Sequence, residues 1–148
     1  MNTTFEAATK SSHKPPAAQI LVVDDETTIF DVFALMFPKP KHALAVAADS
    51  NQALQLAATQ GFDLAFVDYF LGNENGAEVA QKLHRVQPNL KIVLMSGYLS
   101  EERAAAMEQA GARGFLTKPF SVETAQALAR RLVGRKEPGD PDARASEA

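Results

Sequence analysis

Residues 20–23, ILVV, run without a break into Asp24, Asp25 and Glu26. Four consecutive aliphatic residues, three of them β-branched, are too few for a helix and read as a strand buried on both faces. Such a strand belongs to a sheet covered on two sides, so the rest of the chain must supply neighbouring strands and covering helices. It also places two adjacent carboxylates at the mouth of the core.

The remaining pattern alternates as that requirement demands. Strands are predicted at 19–23, 43–47, 63–67, 91–95 and 114–117. Helical spacing is clearest over 27–37, where Ile29, Val32, Phe33, Met36 and Phe37 share one face before Pro38 and Pro40 end it. Val79, Leu83 and Val86 predict a helix over 75–87, and Ala125, Leu128, Ala129, Leu132 and Val133 predict another behind a Ser121 N-cap. The Ala-rich segments 50–60 and 100–110 complete the series, with Gly61 and Gly111 at C′ positions. HALAVAA at 42–48 suits a helix as well as a strand, and its place between two helical patterns selects the strand. Strands alternating with helices imply an α/β fold, a doubly wound five-stranded parallel sheet with helices on both faces.

Composition narrows the function. One domain accounts for 148 residues, with tails expected at 1–17 and 135–148 around an ordered 18–134. The absence of cysteine excludes disulfides and thiolate metal sites. A net charge of −3 argues against binding nucleic acid through bulk charge, so no direct nucleic-acid contact is expected. No apolar run approaches the roughly 20 residues of a membrane span, and the N-terminus lacks the apolar core of a secretory signal. A cytoplasmic protein without membrane contact is therefore expected.

In a doubly wound sheet, function gathers beyond the carboxyl ends of the strands. Asp24 and Asp25 follow the first strand, Asp68 the third, Ser96 the fourth and Lys118 the fifth. Three carboxylates close together raise one another's pKa, and a hard divalent cation such as magnesium relieves that repulsion. The other reading of the Asp24–Asp25 pair is a solvated turn and the N-cap of the next helix. A carboxylate can also act as a nucleophile and form an aspartyl phosphate, whose charge a metal, a lysine and a hydroxyl would hold.

Four pieces in order, VVDDE, the strand ending in Asp68, MSGY and GFLTKPF, resemble the receiver domain of bacterial response regulators over about 19–134. The resemblance implies a flavodoxin-like sheet of order 2-1-3-4-5 and a phosphoacceptor at Asp68. It implies Mg2+ seated by Asp24, Asp25, Asp68 and the backbone carbonyl of Phe70. Ser96 and Lys118 would bind the phosphoryl group, Phe115 would be the switch aromatic, and the Lys118–Pro119 peptide would be cis. Phe70 and Tyr98 would flank the phosphoryl group and cover the approach of water, unless their rings pack elsewhere. The donor would be a histidine kinase or a histidine phosphotransfer protein. Output would pass to a protein partner on the face of the fourth helix, fifth strand and fifth helix, from a monomer or a phosphorylation-dependent dimer. Such a domain is a phosphoacceptor that assists its own phosphorylation and dephosphorylation, not an enzyme on other substrates.

The chain departs from the family pattern at three places. Gly72 stands where receivers often have proline, which predicts a looser loop at GNENG, while Gly76 matches a family glycine. Phe115 replaces the commoner tyrosine and Ser96 the commoner threonine, and SGY resembles receivers of hybrid histidine kinases. No effector domain is expected after Val133, so a stand-alone or excised receiver is anticipated. Two rivals remain. A haloacid-dehalogenase-type hydrolase would need a second acid where Phe70 stands. A phosphorylation-independent scaffold of the same fold would not need to keep every acid and the lysine. His13, His42 and His84 read as surface residues. Arg130, Arg131, Arg135 and Lys136 read as cations at a helix C-terminus.

Overall fold

Leu21, Val22 and Val23 have no exposed surface, and neither do Leu64, Ala65, Phe66 and Val67. These two strands lie side by side at the centre of a computed structural model that describes residues 17–134. The predicted tails, Ala17 apart, lie outside the described residues, as do His13, Arg135 and Lys136.

Five strands, β1 (Ala18–Val23), β2 (His42–Ala47), β3 (Leu64–Asp68), β4 (Lys91–Ser96) and β5 (Gly114–Thr117), pair in parallel in the order β2-β1-β3-β4-β5. Five helices follow them in turn: α1 (Thr28–Met36), α2 (Ser50–Thr59), α3 (Gly76–Val86), α4 (Glu101–Gln109) and α5 (Val122–Val133). The expected α/β sheet and its strand order are both present, and the ambiguous HALAVAA segment is a strand.

The period of two along each strand sorts its side chains between two cores. Leu21, Val23, Ala65, Val67, Ile92 and Leu94 face α2, α3 and α4 through Ala53, Ala57, Val79, Ala80, Leu83 and Met107. Ile20, Val22, Leu64, Phe66, Val93 and Met95 face α1 and α5 through Phe33, Met36, Ala125 and Ala129. Each fully buried aliphatic side chain contributes roughly 1.5–3 kcal/mol, so the two central strands anchor both layers.

Register carries this order to the rim. Val23 pairs with Val67, Asp68 with Met95, and Ser96 with Thr117. Asp24, Asp68, Ser96 and Lys118 therefore arrive at one edge of the sheet.

Where the helix ends and turns differ from the sequence reading, the structure shows what satisfies them. Gly111 follows α4 at φ +96° and ends it in the left-handed way. Gly61 does not adopt a positive φ after α2, whose C-cap Gln60 is extended. The end of α2 is satisfied from a distance instead: Gln87 Nε2 donates to the carbonyls of Ala57 and Gln60 at 2.8 and 2.7 Å, and its Oε1 accepts from Phe62 N. With those carbonyls filled, no left-handed glycine is needed.

The GNENG segment is not a loose loop. Phe70–Leu71 and Glu74–Asn75 form a short antiparallel hairpin, with Gly72 at φ +61°. Proline, fixed near −65°, cannot take that conformation. Glu74 then reaches across to α2, where Ser50 N and Ser50 Oγ both donate to its carboxylate. Asn75 caps α3 through Ala77 N, and Ser121 caps α5 through Thr124 N. The Lys39–Pro40 and Lys118–Pro119 peptides are cis.

Candidate functional site

β1 delivers two carboxylates into different surroundings. Asp24 keeps its backbone in the sheet by donating from N to Ala47 O at 3.0 Å, and its side chain is fully buried. Asp25, one residue on, is exposed. Asp68 closes β3 with 8% of its surface exposed. One oxygen from each of Asp24, Asp25 and Asp68 lies within 4.8 Å of the others.

Lys118 comes to this cluster from the end of β5, whose backbone is tied down by Lys118 N donating to Ser96 O at 2.8 Å. Its ammonium donates to Asp24 Oδ2 at 2.7 Å and stands 3.4 Å from Asp68 Oδ1 and 4.0 Å from Glu26 Oε1. Asp24 Oδ1 accepts from Glu26 N at 2.9 Å, so a turn bond also engages the carboxylate.

Three acids thus face one ammonium. Burial and the neighbouring Asp24 charge push the Asp68 carboxyl up from 3.8 to about 6, against the pull of Lys118. Burial alone would lower the Lys118 ammonium, but its bond to Asp24 and the charges of Asp68 and Asp24 outweigh that and raise it. The cluster is left with an excess of negative charge and hard oxygen donors, a setting that suits a hard divalent cation.

The remaining predicted residues are placed differently. Ser96 is buried, and its hydroxyl is turned along its own loop, donating to Tyr98 O at 2.7 Å and accepting from Tyr98 N at 3.2 Å. Phe115 is half-buried against the core under α2, α3 and α4. Phe70, paired with Asn75 in the hairpin, and Tyr98 are both largely exposed.

Both of these rings flank Arg103, which the sequence reading missed. Its guanidinium lies 4.5 Å from the centre of the Tyr69 ring, 4.8 Å from Phe70 and 5.7 Å from Tyr98. Arg103 Nη1 donates to Ser96 Oγ at 2.9 Å and to Tyr98 O at 2.7 Å. One signal was available. Arg103 is a cation in the first turn of α4, beside Glu101 and Glu102, where the helix dipole favours acids. Glu74 was also missed, and nothing local marks it. His42 packs against Phe37 and His84 is exposed, so neither belongs to the acidic cluster.

Among the described residues no helix is long and apolar enough to cross a membrane. A family model described as the response regulator receiver domain matches residues 20–130. The alginate biosynthesis transcriptional regulatory protein AlgB of Pseudomonas syringae is 32% identical over 133 residues, which cover 89% of this chain and 29% of AlgB. The chain therefore spans less than a third of that relative. The receiver domain of NtrX from Brucella abortus superposes with a TM-score of 0.72 at 29% identity, covering 79% of this chain and 99% of that one. A response regulator from Burkholderia pseudomallei, solved with a phosphorylated aspartic acid, a calcium ion and citrate, gives 0.70 at 29% identity, covering 88% of this chain and 73% of that one.

Proposed function

The chain belongs to the response regulator receiver domain family, and we propose that it is a phosphorylation-controlled signalling module with Asp68 as its phosphoacceptor. The observation that carries this reading is the meeting of Asp24, Asp25, Asp68 and Lys118 at one strand-end edge. A purely structural turn has no use for three converging carboxylates.

Asp68, with its carboxyl near 6, is still mostly ionised at neutral pH and able to act as a nucleophile. Its oxygen attacks the phosphorus of a phosphohistidine on a histidine kinase or histidine phosphotransfer protein. The phosphorus–oxygen bond forms as the phosphorus–nitrogen bond breaks, and the departing imidazole takes up a proton. Asp24, Asp25, Asp68 and the backbone carbonyl of Phe70 would hold Mg2+, which supplies positive charge against the phosphoryl oxygens. Lys118, already 3.4 Å from Asp68, holds charge on the transferred group from the other side. Ser96 contributes by turning its hydroxyl toward the phosphoryl oxygen.

Phe70, in the hairpin after the acceptor, and Tyr98, in the loop after Ser96, cover the in-line path of water, which slows autodephosphorylation. Phe115 couples the site to the face of α4, β5 and α5, where a downstream protein docks. The setting is cytoplasmic, without membrane or direct nucleic-acid contact, and the chain is a monomer or a phosphorylation-dependent dimer.

Incubation with magnesium and acetyl phosphate tests the reading. The parent should take up a base-labile, acid-stable acyl phosphate, Asp68→Asn none, and Asp25→Asn much less at the same magnesium concentration. Equal labelling of parent and Asp68→Asn would overturn the acceptor. An unlabelled parent would favour a phosphorylation-independent scaffold.

A further inference from the structure

Ser96 can reach a phosphoryl group on Asp68 only by giving up the partner its one proton now has. That proton goes to Tyr98 O at 2.7 Å. A single nitrogen, Arg103 Nη1, donates to both oxygens of this pair, at 2.9 Å to Ser96 Oγ and 2.7 Å to Tyr98 O. Separating the two oxygens therefore breaks the Ser96–Tyr98 bond and at least one bond from the guanidinium as well.

The guanidinium is itself held in place. Tyr69 and Phe70, the two residues after the acceptor, and Tyr98, two after Ser96, supply rings at 4.5, 4.8 and 5.7 Å. Cation–π contacts with three rings restrict a side chain that would otherwise sample many rotamers. The arrangement joins the loop after Asp68, the loop after Ser96 and the first turn of α4. Met107 is the one buried residue of α4, so the start of that helix is held by this cluster together with the Ser100 N-cap, whose hydroxyl accepts from Arg103 N at 3.1 Å.

We propose that Arg103 is a positioning residue that latches Ser96 in its resting direction, so that phosphoryl capture at Asp68 must release Arg103 and with it the first turn of α4. The latch opposes closure of the site and transmits closure to α4. It rests on the assignment of Asp68 as the acceptor made above.

The test uses the full chain, magnesium and beryllofluoride, with site occupancy followed by amide NMR. Arg103→Ala and Arg103→Gln should reach half-occupancy at beryllofluoride concentrations about tenfold below the parent, the loss of one charge-assisted hydrogen bond from the resting state. Arg103→Lys, which keeps the charge and a donor, should restore most of the parent midpoint. In a Ser96→Ala background, adding Arg103→Ala should leave the midpoint where Ser96→Ala alone puts it, because the latch acts through that hydroxyl. Urea unfolding of each variant separates this effect from general loosening, since loss of stability would not vanish in the Ser96→Ala background. A parent that binds beryllofluoride with a midpoint unchanged or lowered relative to Arg103→Ala overturns the latch alone. So does a shift that persists without the Ser96 hydroxyl. A parent that takes up no beryllofluoride overturns the phosphoacceptor assignment and the latch with it.

Discussion

The Lys118 ammonium donates to Asp24 Oδ2 at 2.7 Å, and the Asp24 side chain has no exposed surface. Removing the ammonium leaves a buried carboxylate with the Glu26 amide as its remaining bond. Breaking one partner out of a buried ion pair commonly costs 3–5 kcal/mol. Because Glu26 N still serves Asp24, Lys118→Met should destabilise the metal-free protein by about 2–4 kcal/mol. Urea unfolding in chelator-treated buffer measures this, and coincident midpoints for parent and variant would count against the pair.

Asp68 gives the opposite sign. Its carboxyl rises from 3.8 to about 6 on folding, through burial first and the Asp24 charge second. A proton is therefore bound more tightly in the folded chain, and ionising Asp68 costs stability. That cost is absent below about pH 4, grows as pH rises through 6 and is complete above it. Asp68→Asn removes it and should be more stable than the parent at pH 7.5 by roughly 1–3 kcal/mol without metal. The gap should close below pH 4. A gap independent of pH would assign the gain to something other than ionisation.

Gly76 is required by space and not by its backbone angle. A Cβ built there would collide with Asp68 O and meet Tyr69 Cα at 2.7 Å, and Gly76 N donates to Tyr69 O. Both obstacles are backbone at the end of β3, so neither can rotate aside. Gly76→Ala should cost about 1–3 kcal/mol and lower the rate of labelling by acetyl phosphate, because relief must move the acceptor. Thermal unfolding with a labelling time course checks both, and a variant of parental stability would show that α3 can shift away freely.

Phe70 and Tyr98 govern lifetime on the proposed reading. Both rings are exposed and stand with Arg103 beside the acceptor loop. Replacing them together, Phe70→Asn with Tyr98→Glu, opens the approach and introduces groups that can position a water. Phosphate release from the labelled protein should quicken about tenfold, or about 1.4 kcal/mol in barrier. Equal release rates would mean that the rings do not guard the path.

Much of this was legible in single residues and their order. ILVV and LAFV announce strands covered on both faces, and the helical stripes between strands require parallel pairing. Once the strands are parallel, the residue after each one must appear at the same edge. Asp24, Asp25, Asp68, Ser96 and Lys118 were found this way because strand ends are a matter of chain order. The excess of acid at that edge could also be read, since each carboxylate brings its charge wherever its side chain points.

Direction and long-range partnership were decided by the tertiary structure. Gly61 looked like a left-handed helix end until Gln87 arrived from the residue after α3 to take carbonyls at the end of α2. The turn at Gly72 became a hairpin whose Glu74 grips Ser50, 24 residues away. Ser96 could be placed at the rim, but whether its hydroxyl faces Asp68 or Tyr98 depends on a guanidinium from the next helix. Arg103 stood in the sequence as an awkward cation in a helix's first turn. Only packing brings Tyr69, Phe70 and Tyr98 around it, because a side chain's direction is set by neighbours that local periodicity does not encode.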